Sequence, residues 1–184
     1  MRYPDFRELC TARLRLRKIL MADLEAFYTR LGSSEAVTKY MLFQPHKNIE
    51  ESKSGIEKWL SRYEAGKCYH WAIALKDTDE LIGVIDLLRF DEEKNGCSFA
   101  YMLAESFWNR GYGTEAVRAV FDFGFREMEL DFIEADHMEE NGASGAVMRK
   151  AGMTYQRTEP EKYEKNGKKH NAVVYRINRK EFMQ

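Results

Sequence analysis

The sequence predicts a single α/β domain built on a mixed, mostly antiparallel, twisted sheet of about seven strands with helices on both faces. Three observations carry this. A meander of β-rich runs occupies the middle of the chain, 69–103. A glycine-led amphipathic helix follows it directly. A short strand, a second helix and a final hairpin then close the chain. At 184 residues the chain can bury one full core. Its three prolines are isolated and mark no linker, so residues 1–184 read as one domain without internal repeats.

Taken in order, Ala12-Arg13-Leu14-Arg15-Leu16-Arg17 alternates strictly, a strand with Leu14 and Leu16 inward and its arginines on a solvated face. Met21, Leu24, Phe27, Tyr28 and Leu31 space a first helix over 21–31, which Gly32 ends. A shorter helix is expected from Glu35 to Met41. Beyond Pro45 a longer one runs from Ile49 to Ala65, with Ile56, Trp59, Leu60 and Tyr63 on one side and Gly66 as its stop. Tyr69 to Leu75, Leu81 to Phe90 and Cys97 to Leu103 are strands, joined by Asp77-Thr78-Asp79 and by the Asn95-Gly96 turn. After the glycine-led helix come a strand over 132–138 and a helix from Ala143 to Lys150. Asn141 is placed to cap that helix and Gly152 to close it. Met153 to Tyr163, an Asn166-Gly167 turn and the strand Asn171 to Asn178 finish the order β-α-α-α-β-β-β-α-β-α-β-β.

Composition excludes several function classes. The net charge of −1 offers no global attraction to nucleic acid or to an anionic membrane. Cys10, Cys68 and Cys97 form no C-x-x-C pair and no ligand spacing with His46, His70, His137 or His170, so no metal is expected. Scattered thiols suit a reducing, cytoplasmic setting. The start Met-Arg-Tyr-Pro-Asp-Phe-Arg lacks an apolar signal core, and no run of about eighteen apolar residues occurs, so a membrane anchor is not expected.

The stretch with chemical content is Trp108-Asn109-Arg110-Gly111-Tyr112-Gly113-Thr114-Glu115-Ala116. Behind it Gly113, Ala116, Val117, Val120, Phe121, Gly124, Phe125 and Met128 form one apolar helix face; Glu115, Arg118, Asp122 and Arg126 take the other. Glycines before a helix leave unpaired N–H groups pointing one way, and with the helix dipole they suit a phosphate or pyrophosphate. Arg110 adds a positive charge. Three chemistries use such loops. A P-loop is excluded because no Gly-Lys-Ser/Thr follows. The Rossmann fingerprint fits as text through Gly111, Gly113 and Ala116, with Asp131 about twenty residues on. Its first glycine should end a buried parallel strand, however, and here Glu105 to Arg110 intervene after one arm of a meander. The third is the pyrophosphate loop of acetyl-coenzyme A acetyltransferases.

The element order and four stretches resemble the GNAT N-acetyltransferase superfamily, and within it the RimJ/RimL-type branch that acetylates ribosomal-protein N-termini. The stretches are Thr11-Ala12-Arg13-Leu14-Arg15-Leu16-Arg17 with Asp23-Leu24; Ile82-Gly83-Val84-Ile85; Tyr101 to Ala116; and Asn141-x-x-Ser144…Met148-x-Lys150-x-Gly152. They occur in the right order and span nearly the whole chain.

The resemblance implies a single GNAT-like domain with a split between the fourth and fifth strands, where acetyl-CoA lies as a pseudo-strand. Met102 or Leu103 would then offer an N–H to the thioester carbonyl, and that donor strengthens as an oxyanion forms. Asn109, Arg110, Gly111, Tyr112, Gly113 and Thr114 would hold the pyrophosphate. Asn141 would meet the pantetheine amide, or act as a plain N-cap. The wider superfamily often has Gln or Arg where this chain has Trp108, a small departure where main chain does the holding.

The implied reaction is direct attack of a primary amine on the thioester, without an acyl-enzyme, and much of the rate comes from proximity. Deprotonating the ammonium calls for a carboxylate near the split. The candidates are Asp136, then Glu134 on the same strand face, and Asp86 on the hairpin. His137 alternates with Ile133 and Ala135 and is expected first in the core. Many superfamily members carry a protonating tyrosine where this chain has Met148; Ser144, beside the coenzyme sulfur in this branch, is the alternative acid. The acceptor site is expected between 27–63 and the last hairpin, 155–175, which with the strand start at Tyr69 and Trp71 hold Tyr40, Phe43, Trp59, Tyr63, Glu35, Glu50 and Glu159. Its branch favours a protein N-terminal amine, with small amines (polyamine, amino acid, antibiotic) as the alternative. A non-catalytic acyl-CoA sensor and a Rossmann-type oxidoreductase are the readings from other classes. The chain is expected to act as a monomer or homodimer, without a direct nucleic-acid or membrane partner.

Overall fold

The computed structural model describes residues 1–66 and 68–184. The strands are β1 (Leu9–Cys10), β2 (Leu14–Arg17), β3 (Tyr69–Leu75), β4 (Leu81–Asp91), β5 (Gly96–Leu103), β6 (Phe132–Met138), β7 (Thr154–Lys165) and β8 (Lys168–Asn178). The α-helices are α1 (Leu24–Phe27), α2 (Glu35–Thr38), α3 (Ile49–Glu64), α4 (Tyr112–Arg126), α5 (Gly142–Lys150) and α6 (Arg179–Phe182). One eight-stranded sheet runs β1-β2-β3-β4-β5-β6-β8-β7. Every neighbouring pair is antiparallel except β5 and β6, which are parallel.

The sheet has one strand more than expected, because Leu9 and Cys10 pair with Leu16 and Arg15. Two residues carry no alternation to read. The first helix is also not continuous. Met21–Asp23 is a 3₁₀ turn, α1 follows, and Tyr28–Gly32 widens to a π turn closed by Ser33 N–H on the Tyr28 carbonyl at 2.9 Å. Gly32 is pressed so close to His46 and Ser52 that a Cβ there would come within 2.7 Å of each. The expected helix to Met41 stops at Thr38. Lys165 Nζ, arriving from β7, donates to the carbonyls of Thr38, Met41 and Phe43. The last two strands are longer than expected, and the short C-terminal α6 goes unannounced by any periodicity.

Alternation along the strands builds two cores. Trp71, Ile73, Ile85, Leu87, Phe99, Leu103, Ile133, Ala135, Tyr175 and Ile177 face α4 and α5. Ala72, Val84 and Met102 face the other way, against Phe27, Leu31 and Ile56 of the α1–α3 side. Where that side begins, Arg17 makes a bidentate pair with Asp23 at 2.8 and 2.9 Å, both side chains being buried. Asp23 also accepts from the Leu20 N–H, which sets the entry into the 3₁₀ turn.

Candidate functional site

The parallel pairing of β5 and β6 is brief: Gly96↔Phe132, Cys97↔Ile133 and Ser98↔Glu134. β5 then continues to Leu103 against β4, while β6 continues to Met138 against β8. From Phe99 and Ala135 onward the two strands part, and the sheet is split at its centre, as expected. Ala104 N–H donates to Ile82 O at 2.8 Å. Alternate residues of an antiparallel ladder turn their N–H to the same neighbour, so Met102 faces β4 as Ala104 does, and Leu103 presents its N–H to the split. Of the two donors the sequence offered, Leu103 is the one with that orientation. Its carbonyl, on the same side, accepts from the Trp108 indole N–H at 2.7 Å.

A single 3₁₀ turn, Glu105–Phe107, leads to the glycine loop. Asn109 and Gly111 both take left-handed backbone conformations, with φ of 59° and 82°. Gly111 is the N-cap of α4, and no side chain caps the helix there. The first intrahelical bond is Glu115 N–H to Gly111 O. The N–H groups of Tyr112, Gly113 and Thr114 therefore emerge at the positive end of the helix dipole, an arrangement suited to an anion. Arg110 is exposed beside the Phe107 ring.

Arg13, expected to be simply solvated, clamps this loop from β2. Its guanidinium donates to Arg110 O at 2.9 Å and to Glu115 at 2.7 Å, and lies 4.4 Å from the Tyr112 ring centroid. Glu115 also accepts from the Thr11 hydroxyl at 2.6 Å and the Arg13 amide at 3.0 Å. Burial alone would raise the Glu115 pKa; these donors bring it below the ordinary carboxylate value instead.

The far side of the split is closed by α5. Asn141 caps it, accepting from Ser144 N–H at 3.3 Å, which is the capping role weighed for it. Ser144 hydrogen-bonds the Tyr101 hydroxyl, joining α5 to β5 across the opening; burial raises that phenol's pKa and the bond partly offsets the rise. Met148 is buried. His137 lies on the α5 face, as expected, its Nδ1–H donating to Met138 O. Its Nε2 has no partner and faces Gly145, where a Cβ would approach it to 2.6 Å.

The acidic candidates occupy the opposite face. Glu134 accepts from Arg176 at 2.7 Å and from Arg157 at 3.3 Å. Asp136 accepts from Lys162 at 2.6 Å and from the Tyr163 hydroxyl. Burial and then the bond to Asp136 push the Tyr163 phenol up to about 12. For Lys162, burial lowers the pKa, but Asp136 and Glu159 outweigh it and the net shift is upward. Asp86 meets His70, whose Nδ1 lies 2.5 Å from Oδ1. The sequence reading missed His70, although it shares a strand face with Ala72 and Ala74 beside an acid across the hairpin.

Two expected walls of the acceptor site come together. The β7–β8 tip rests on the loop after α2 through Lys165 and through Gln44 on Asn166 at 2.8 Å. Trp59 and Tyr63 of α3 pack against the α1–α3 core, whereas Tyr69 and Trp71 belong to the α4 core. Glu35 and Glu50 are exposed, and Glu159 joins the Lys162 cluster. Burial raises the pKa of Cys68 and, much further, of Cys97, so both remain thiols. Among the described residues no group of His, Cys, Asp and Glu is arranged to hold a metal ion, and no helix is long and apolar enough to cross a membrane.

The family model described as "Acetyltransferase (GNAT) domain" matches residues 13–154. A Bacillus licheniformis protein named uncharacterized N-acetyltransferase p20 is 32% identical over 136 residues, 74% of this chain and 76% of its own length. Uncharacterized N-acetyltransferase YoaA of Bacillus subtilis is 28% identical over 91% of this chain and 94% of its own. A GNAT-family acetyltransferase from Bacillus anthracis superposes with a TM-score of 0.84 at 24% identity, covering 95% of this chain and all (100%) of that one. The fold is also shared with RimL, a ribosomal L7/L12 alpha-N-protein acetyltransferase solved with coenzyme A (TM-score 0.81, 19% identity, 94% and 98% covered). A Vibrio cholerae spermidine N-acetyltransferase solved with CoA and spermine shares it too (TM-score 0.80, 16% identity, 95% and 100% covered).

Proposed function

This chain belongs to the GNAT acetyltransferase family, and from that premise we propose that it moves an acetyl group from acetyl-CoA to a protein N-terminal amine by direct attack. The observation that carries the reading is the split between β5 and β6, open beside an uncapped helix N-terminus. Main-chain donors from Asn109 to Thr114, with the Arg110 side chain, hold the coenzyme's pyrophosphate. Leu103 N–H polarises the thioester carbonyl, and Met102 packs behind it. Asn141 and Ser144 line the pantetheine side. Both cysteines that are not fully exposed stay protonated, which favours direct attack over an acyl-enzyme.

Ser144, bonded to Tyr101, supplies the proton for the departing thiolate. Asp136 and Glu134 line the acceptor side. Asp136 is the stronger of the two, because Glu134 is held by two arginines. The protein-amine preference follows the likeness to RimL, and the fold shared with spermidine N-acetyltransferase keeps a small polyamine as the second acceptor class.

The test is calorimetric titration with acetyl-CoA, then thiol release with N-terminal peptides, spermidine and aminoglycosides. Turnover on peptides supports the reading, and turnover on spermidine alone moves it to the second class. Binding without turnover on any amine leaves an acyl-CoA sensor. Gly111→Val is expected to abolish coenzyme binding, since a side chain at φ 82° is strained and its Cβ meets the Arg13 guanidinium that clamps the loop. Wild-type affinity in that variant refutes the loop assignment.

A further inference from the structure

Over β4 and β5 the helices on the α1–α3 side cover the sheet only as far as one row of residues. Ala72, Val84 and Met102 are buried beneath them. The next row runs through registered pairs from His70 to Asp86 to Ala100. Asp136 stands level with it on β6, two residues beyond the Ser98↔Glu134 pair. His70 is buried, the Asp86 side chain is 26% exposed and Ala100 is open to solvent. A methyl group at the centre of a sheet, flanked by a carboxylate on either side, makes the floor of a trough.

The carboxylates around this floor differ in what neutralises them. Glu134 is paired with Arg176 and Arg157, and Asp136 with Lys162. The one ionic partner found for Asp86 among the described residues is His70. His70 is confined: Trp59 stacks on its ring at 3.9 Å and 12°, and Tyr63 O–H donates to its carbonyl at 2.7 Å. Its Nε2 is buried without a partner. A ring proton on Nδ1 makes His70 the donor to Asp86 Oδ1. Asp86 is oriented by this enclosed donor and is open on the trough side. It lies two residues along β4, about 7 Å, from Val84, which pairs with Met102 on the strand that borders the split.

We infer that Asp86 is the catalytic carboxylate that receives the acceptor's primary ammonium above Ala100 and takes its proton, with His70 as its positioning residue. Asp136, neutralised by Lys162, keeps to the opposite wall. The inference rests on the acetyl-transfer reading and deepens it. Asp86 accepts one proton from the ammonium, directly or through a water. The freed lone pair forms the N–C bond as the C–S bond breaks. The thiolate takes the Ser144 proton and the second nitrogen proton restores the Ser144 hydroxyl, giving amide and thiol, and Asp86 returns its proton to solvent. The groups facing Asp86 are His70 from β3, Tyr63 from α3 and Cys68 before β3, with Asp136, Lys162 and Tyr163 across Ala100 and Arg89 further along β4.

The test compares Asp86→Asn, Asp136→Asn, His70→Leu and His70→Asn, using spermidine and a free-N-terminus peptide as acceptors. Asp86→Asn is expected to lower kcat/KM for the acceptor by about 10²–10⁴. Calorimetry should find its acetyl-CoA affinity unchanged and its acceptor binding to the CoA-bound protein weakened. Its remaining activity should climb with pH until the free amine deprotonates, near pH ~8 for the peptide and near pH ~10 for spermidine, where wild type is level. His70→Leu should lower kcat, and His70→Asn, which keeps a donor at the Nδ1 position, should recover part of it. Asp136→Asn should cost about tenfold or less. Wild-type kcat/KM in Asp86→Asn, or the large loss falling on Asp136→Asn instead, overturns the assignment. A wild type that binds acetyl-CoA yet acetylates no amine refutes the acetyl-transfer reading itself, and the role of Asp86 falls with it.

Discussion

The Trp108 indole N–H donates to the Leu103 carbonyl at 2.7 Å, closing the last main-chain acceptor of β5 on the side where the sheet has split. Without a neighbouring strand that carbonyl would depend on solvent, and the end of β5 would be free to rotate. The bond fixes the peptide plane and with it the direction of the Leu103 N–H. Trp108→Phe keeps the ring and removes the donor. It is expected to weaken acetyl-CoA binding and to lower kcat several-fold, the scale of one lost oriented donor of about 1 kcal/mol. Trp108 is partly exposed, so the melting temperature should barely move. Unchanged coenzyme affinity and kcat would mean that the strand end is held by other means.

Arg13 ties the glycine loop to β2 through Arg110 O and Glu115. Arg13→Lys retains the charge but not the fork that reaches both acceptors. Coenzyme affinity should fall about tenfold, while KM for the amine stays as in wild type. A matching loss in both would point to general unfolding.

Glu115 carries the pH dependence of the same clamp. Its folded pKa lies below the unfolded value, so its stabilisation is fully present above pH ~4.3 and is lost as pH falls through the folded value. Acid unfolding of Glu115→Gln followed by circular dichroism should accordingly be flatter below that pH than in wild type. Parallel curves for the two proteins would argue against the contribution.

Arg17 and Asp23 form the most enclosed ion pair among the described residues, with side chains 5% and 9% exposed. Asp23→Ala leaves a buried guanidinium with only Asp79 beside it, and frees the Leu20 N–H. The expected loss is about 3 kcal/mol, the lower end for breaking a buried pair. That lowers Tm by on the order of 10 °C for a chain of this size. A shift of a degree or two would show that Asp79 suffices.

Lys165 fastens the β7–β8 tip to the carbonyls of Thr38, Met41 and Phe43. Its removal in Lys165→Ala should loosen one wall of the acceptor trough and leave the glycine loop untouched. KM for the amine is expected to rise several-fold at constant acetyl-CoA affinity, on the scale of one to two net hydrogen bonds. A change in coenzyme affinity alone would contradict this division of labour.

Most of the fold was legible because its signals are local. Alternation at Leu14 and Leu16, the run from Tyr69 to Leu75 and the apolar face from Gly113 to Met128 each follow from the period of one element. Gly111 marked its helix start because its positive φ favours a residue without a side chain. The misjudged elements were those decided by distant partners. The helix expected to reach Met41 ends at Thr38 under the amine of Lys165, 127 residues away. β1 exists through two pairs with β2.

The site divides along the same line. By themselves the residues marked the glycine loop as an anion site; the split and the acids expected beside it came from the family resemblance. Only the tertiary structure decided what each of those acids pairs with. An ion pair depends on distances of about 3 Å between side chains remote in sequence. Lys162 pairs with Asp136, and Arg157 and Arg176 with Glu134, while among the described residues the ion-pair partner of Asp86 is an enclosed histidine. Periodicity determines which way a side chain points, and packing determines what it meets there.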